Sequence, residues 1–146
     1  MIERTTKSEE QTVEVGRIVG RQLGAGALVL VEGRLGAGKT AFVRGLAAGL
    51  GCAEQDVSSP TFALIQEYRG RLRLHHVDLY RLTPREVDDL PLDELLEDDV
   101  VVVEWPDRWR QAPRDAWTVR LEVAGTDVRR ITVTPPPGEP GAYSTR

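Results

Sequence analysis

The stretch from Gly33 to Thr40, Gly-Arg-Leu-Gly-Ala-Gly-Lys-Thr, has the spacing of a phosphate-binding loop, G-x-x-x-x-G-K-T. Each residue type has a chemical reason to be there. Glycines let backbone N–H groups close around a phosphate, the Lys39 ammonium reaches the β- and γ-phosphates, and the Thr40 hydroxyl suits magnesium. The chain has 19 basic residues, of which only Lys7 and Lys39 are lysines. A lysine at this position in so arginine-biased a chain favours a working loop over a structural turn, because a compact ammonium reaches between phosphates better than a planar guanidinium.

A magnesium site also needs a carboxylate. Glu104 directly follows four valines and precedes Trp105 and Pro106, at the end of a buried strand, where ligands of open α/β sheets lie. It reads as a magnesium-site acid, with a surface acid ending the strand as the plainer alternative. Asp78, in His-His-Val-Asp-Leu-Tyr, shares a strand face with Leu72, Leu74, His76 and Tyr80. A carboxylate there must be near a metal or be paired, for instance with an arginine. Thr61, in Ser-Ser-Pro-Thr-Phe, is either a switch-like hydroxyl meeting a γ-phosphate or part of a turn around Pro60. His75 and His76 are assigned to the strand's surface and packing rather than to a metal.

The elements that must position these residues follow from periodicity. Ala27 to Val31 is an uninterrupted apolar run, expected of a parallel strand covered on both faces. Val43, Leu46, Ala47 and Leu50 then recur at helical spacing, and Gly51 stands where that helix stops. Ahead of the strand, Ser8 with Glu10 and Gln11 starts a helix whose apolar face is Val15, Ile18, Val19 and Leu23. Phe62 to Tyr80 alternates with period two, as two strands joined near Arg69 and Gly70. Thr83 and Pro84 open short acidic helices, and Val100 to Val103 form a second buried strand. Trp117 to Val123 and Val128 to Val133 alternate as a hairpin turning at Gly125, Thr126 and Asp127. The order predicts an α/β three-layer sandwich, a phosphate-loop NTPase with a mixed β-sheet and a C-terminal β-hairpin. The ATPase domain is expected over 1–134, with a proline- and glycine-rich disordered tail over 135–146.

The net charge of −4 disfavours a chain that grips nucleic acid alone. Arg69, Arg71 and Arg73 alternate on one strand face, as a local basic patch or, more commonly, a solvated sheet face. Cys52 is the single cysteine, so neither an internal disulfide nor a cysteine metal motif is available. No apolar run approaches the ~20 residues of a membrane span, and a soluble, cytoplasmic protein is expected.

Taken together, GRLGAGKTAF, SPTF, HHVDLYRL and VEWP, in this order and spacing, resemble the bacterial TsaE (YjeE) family over roughly residues 5 to 134. Kinases and GTPases lack the Asp-Leu-Tyr-Arg and Glu-Trp-Pro pair. The resemblance implies an ATP-hydrolysing accessory subunit in forming N6-threonylcarbamoyladenosine at position 37 of tRNAs that read A-starting codons. Such a subunit acts on a TsaB–TsaD heterodimer and meets tRNA indirectly through that complex. By motif, Gly33 and Leu35, Gly36, Ala37, Gly38, Lys39 and Thr40 would bind the nucleotide. Thr40 and Glu104 would hold Mg2+, Asp78 would serve hydrolysis, and Thr61 matches the switch-like segment. Trp105 would lie beside the nucleotide, and Glu9 is the choice for the segment near the adenine. Two positions depart from the family pattern: Arg34 replaces its usual aspartate and Ala41 a common second threonine. No arginine is evident in cis besides Arg34, so hydrolysis is expected to be slow until docking completes the site around Ser59 to Phe62. The rival reading is a small-molecule phosphate-loop kinase, which would need a substrate pocket and an arginine-bearing lid.

Overall fold

A computed structural model of the chain describes residues 1–53 and 65–137. Seven strands form one mixed sheet in the order β1-β7-β6-β2-β5-β4-β3. They are β1 (Ile2–Thr6), β2 (Leu28–Glu32), β3 (Ile65–Arg69), β4 (Arg73–Asp78), β5 (Val100–Glu104), β6 (Trp117–Gly125) and β7 (Val128–Thr134). The helices are α1 (Glu9–Gln22), α2 (Lys39–Gly49), α3 (Pro84–Asp88) and α4 (Leu92–Leu95), with a 3₁₀ turn at Pro106–Arg108.

The centre of the sheet is parallel: β6, β2, β5 and β4 run the same way, β3 and β7 flank them antiparallel, and β1 pairs antiparallel with β7 at the edge. That arrangement explains the valine run of β5, since a central parallel strand is covered on both faces. Val100 and Val102 pack with Val29, Val31, Phe42 and Leu46 beneath α1 and α2. Val101 and Val103 face the opposite layer, with Leu28, Val77, Val87, Leu92 and Trp109. The fold is therefore an α/β three-layer sandwich with a mixed sheet and a C-terminal hairpin.

Helix α1 begins as its sequence predicts, with the Ser8 hydroxyl accepting the Gln11 N–H and two glutamates in the first turn. At the far end, Arg71 donates to the carbonyls of Gly20 (2.9 Å) and Leu23 (3.0 Å), capping α1 as cations do at helix C-termini. Arg69 and Arg73 lean on Glu67 at 3.8 and 3.5 Å. Arg69 and Arg73 thus stay on a solvated face, while Arg71, in the turn between β3 and β4, is used within the fold. Gly16 and Gly20 of α1 face Gly45 and Gly49 of α2 so closely that a Cβ on Gly45 would overlap the Val13 carbonyl. This close approach pins α2, and with it Lys39 and Thr40, against α1. Thr83 caps α3 through a reciprocal bond with Glu86.

Strand β1 was not foreseen. Its Ile-Glu-Arg-Thr-Thr sequence has no apolar alternation, and it owes its place to pairing with β7 at the sheet edge. Strand β4 stops at Asp78, so Leu79 and Tyr80 belong to the following turn rather than to the strand face. Among the described residues no helix is long and apolar enough to cross a membrane. Thr61, the rest of the Ser59-to-Phe62 segment and most of the 135–146 tail lie outside the described residues.

Candidate active site

A cleft of about 630 Å³ opens at the C-terminal ends of β2, β4 and β5. Its floor is the Gly33-to-Thr40 loop. Gly36 and Gly38 have φ of 81° and 99°, a region that side-chain-bearing residues avoid. These two positions let the chain turn so that α2 starts at Lys39 with its first N–H groups facing the cleft. Ala37 is buried under the loop, and its N–H closes the turn onto the Arg34 carbonyl at 3.0 Å.

Lys39 is largely buried. Its Nζ donates to the Gly33 carbonyl at 2.6 Å and lies 3.9 Å from the centre of the Trp105 ring. Burial pushes its ammonium below the ordinary lysine range, while the charges of Glu104 and Asp78 oppose the shift. Asp78 and Glu104 are register neighbours on β4 and β5, which puts both carboxylates on the α1–α2 side of the sheet. Burial raises the Asp78 pKa; the Tyr80 backbone N–H, donating to Oδ1 at 2.9 Å, lowers it, and the Glu104 charge raises it again. Among the described residues no arginine is ion-paired with Asp78; the cation acting on it is Lys39.

His76 packs inside the fold, as its strand position predicts, and it also reaches Glu104. The ring is fully buried, and Nε2 lies 2.5 Å from Glu104 Oε2. With Glu104 as a carboxylate, Nε2–H is the donor and fixes the orientation of the acid. His76 Nδ1 has no hydrogen-bond partner among the described residues. His75 points to the other side of β4 and meets Asp99 at 2.8 Å. Trp105 adopts a left-handed backbone with φ 60°, uncommon for so bulky a residue. The kink turns its ring back over Lys39 and against Tyr80, 4.8 Å between centroids.

Leu35, Gly36, Gly38, Lys39, Thr40, Asp78, Glu104, Trp105 and Glu9 all line this one cleft. Gly33 touches it through its carbonyl bond to Lys39. Glu9, in the first turn of α1, is ion-paired with Arg44. Arg34 is exposed and lines a neighbouring groove with Arg120 and Pro106, so its charge stands on the outer side of the loop. The expectation that no other arginine stands near in cis needs correction. Arg129 of β7 lines the cleft and donates to the Gly36 carbonyl at 3.2 Å. Lys7, Thr12 and Asp127 also line it and were missed. Among the described residues no group of three or more His, Cys, Asp or Glu side chains is placed to hold a metal by itself.

A glycine-rich loop between a central parallel strand and a helix, with acids on the adjacent strand ends, defines the phosphate-loop NTPase fold. The comparisons narrow this class. The profile of a family described as "Threonylcarbamoyl adenosine biosynthesis protein TsaE" matches residues 6–131. A protein named tRNA threonylcarbamoyladenosine biosynthesis protein TsaE from Nostoc sp. is 42% identical over 133 residues, covering 87% of this chain and 82% of its own length. One of the same name from Treponema pallidum is 42% identical over 131 residues, covering 88% and 96%. The crystal structure of Bacillus subtilis YdiB superposes with a TM-score of 0.76 at 33% identity, covering 92% of this chain and 84% of that one. The chain belongs to the TsaE family, whose described role is in threonylcarbamoyladenosine biosynthesis, a tRNA modification.

Proposed function

We propose that the chain is a magnesium-dependent ATPase that supports formation of N6-threonylcarbamoyladenosine at position 37 of tRNA. In this reading it works on a TsaB–TsaD heterodimer in the cytoplasm. The observation that carries the ATPase reading is the convergence of Lys39, Thr40, Asp78 and Glu104 in one cleft at the end of the parallel strands. The loop N–H groups and Lys39 would hold the β- and γ-phosphates.

The donor set fits magnesium. Thr40 offers a hydroxyl and Glu104 a carboxylate, both hard oxygen ligands, and magnesium is commonly bound by one or two protein groups plus phosphate and water. His76 engages Oε2 of Glu104 and so orients the carboxylate that would hold the ion. Bound magnesium would neutralise charge on the phosphates. Asp78 would orient the attacking water: its Oδ1 is held by the Tyr80 N–H, leaving Oδ2 for that task. Trp105 and Tyr80 wall the cleft beside Lys39. The role of a partner is supported by the cleft rim, where Leu35 and Tyr80 are 67% and 41% exposed, apolar groups that an assembly would cover.

The test is reconstitution with purified TsaB–TsaD, the separate adenylate synthase and unmodified tRNA. Modified nucleoside is measured by mass spectrometry under multiple-turnover conditions. Added wild-type chain is expected to raise the yield per heterodimer, and Lys39→Ala to leave it at the level without the chain. Equal yields with wild type, with Lys39→Ala and without either would refute the reading.

A further inference from the structure

The β6–β7 hairpin belongs to no motif of the loop, yet it delivers a cation to the cleft. Arg129, Ile131 and Val133 share one face of β7, opposite Val123, Leu121 and Val119 of β6. Ile131 and Val133 are buried with the α1–α2 core, so Arg129 continues that face past the core to where the loop lies. On the other side β7 pairs with β1, and Arg129 stands opposite Thr6, whose hydroxyl is 2.8 Å from that of Thr12 near the start of α1. The guanidinium is therefore carried by a strand paired on both edges, not by a mobile lid.

Its contacts have a pattern. Nη2 donates to the Gly36 carbonyl at 3.2 Å, and Nη1 to the Val128 carbonyl at 3.1 Å and that of Gly125 at 3.5 Å. Three of the five guanidinium N–H groups thus go to neutral carbonyls, which orient the charge without cancelling it. Among the described residues Arg129 contacts carbonyls and enters no ion pair, although Asp127 lines the same cleft. A half-buried cation held this way, with no carboxylate paired to it among the described residues, suits an anionic ligand.

We propose that Arg129 is a further residue of the nucleotide site, a cis-acting cation that holds the loop at Gly36 and presents a fixed positive charge to the polyphosphate. This rests on the ATP reading above and adds a binding residue to it. The alternative role is mechanical, with the arginine only pinning the loop. The two roles separate by chemistry: Arg129→Gln keeps an N–H donor for a carbonyl but loses the charge, whereas Arg129→Lys keeps the charge.

The test is calorimetric titration of the full chain with magnesium-ATP, comparing wild type, Arg129→Lys, Arg129→Gln and Lys39→Ala, with a thermal melt of each. Arg129→Gln is expected to weaken binding about tenfold or more, as for loss of a charge-assisted contact. Arg129→Lys should recover most of that loss, with melts close to wild type. Equal affinity of Arg129→Gln and wild type would overturn the proposal, as would an Arg129→Lys no better than Arg129→Gln. If Arg129→Gln does not fold, Arg129→Lys decides by itself: a loss of tenfold or more would overturn the charge role. A wild type that binds no better than Lys39→Ala would instead defeat the ATP reading.

Discussion

Replacing Lys39 by methionine separates the cost of the site from its use. Burial holds the Lys39 ammonium below its ordinary pKa, so the native state binds that proton less tightly than the unfolded chain. The sign follows: below the native pKa the charged lysine costs stability, and that cost is relieved as pH rises through it. Methionine keeps the length of the stem and removes the charge. Against this relief stands the lost bond to the Gly33 carbonyl at 2.6 Å and the lost contact with Trp105 at 3.9 Å. An ordinary hydrogen bond is worth about 1 kcal/mol net, and the carbonyl freed here faces an open cleft and can be hydrated. The two effects offset, and the net change in stability is expected within about 1 kcal/mol, or roughly 2–4 °C in melting temperature for a domain of this size. Binding should behave differently. Loss of a charge-assisted contact to phosphate costs about 1.5–3 kcal/mol, which is roughly a ten- to hundredfold weaker Kd for magnesium-ATP. The assay is a thermal melt beside a calorimetric titration on the same preparation. A melt lowered by much more than this, or an unchanged Kd, would refute the reasoning, because the lysine would then serve the fold and not the ligand.

Further expectations concern the acids and the helix pair. Burial raises the Asp78 pKa, so its ionisation costs stability as pH rises beyond the ordinary carboxylate range. At neutral pH, Asp78→Asn should melt no lower than wild type, bind magnesium-ATP and lose phosphate release; an early melt or full turnover would contradict this. Glu104→Ala should raise the magnesium concentration needed for tight ATP binding, seen as a shifted magnesium titration, and an unshifted curve would remove Glu104 from the metal site. Gly45→Ala would drive a methyl group into the Val13 carbonyl. Its urea midpoint should fall by an equivalent of about 1–3 kcal/mol, as overpacking does, and an unchanged midpoint would mean that α1 and α2 separate freely.

What could be read from the chain depended on how local the signal was. The loop, its strand and its helix are consecutive, so their glycines, lysine and apolar spacing were legible together. Glu104 and Asp78 were legible singly, each at the end of an apolar strand. Their meeting was not, because the register that sets Asp78 beside Glu104 and brings His76 to its carboxylate arises from pairing β4 with β5. The same reason hid Arg129. It looks like one of two adjacent arginines in an alternating strand, and only the order of the sheet brings it to Gly36. The edge strand β1 carries no periodic apolar residue to announce it. Arg71 was misread for a related reason: its partners are carbonyls of α1, far away in sequence.

The central claim, that this cleft hydrolyses ATP, is tested most directly by steady-state phosphate release from magnesium-ATP. The wild-type chain and Lys39→Ala are each measured alone and with the purified TsaB–TsaD heterodimer. The expected result is slow release by the wild type alone, faster release with the heterodimer, and none above background from Lys39→Ala in either condition. Release by Lys39→Ala equal to that of the wild type, or none from the wild type even within a demonstrated complex, would contradict it.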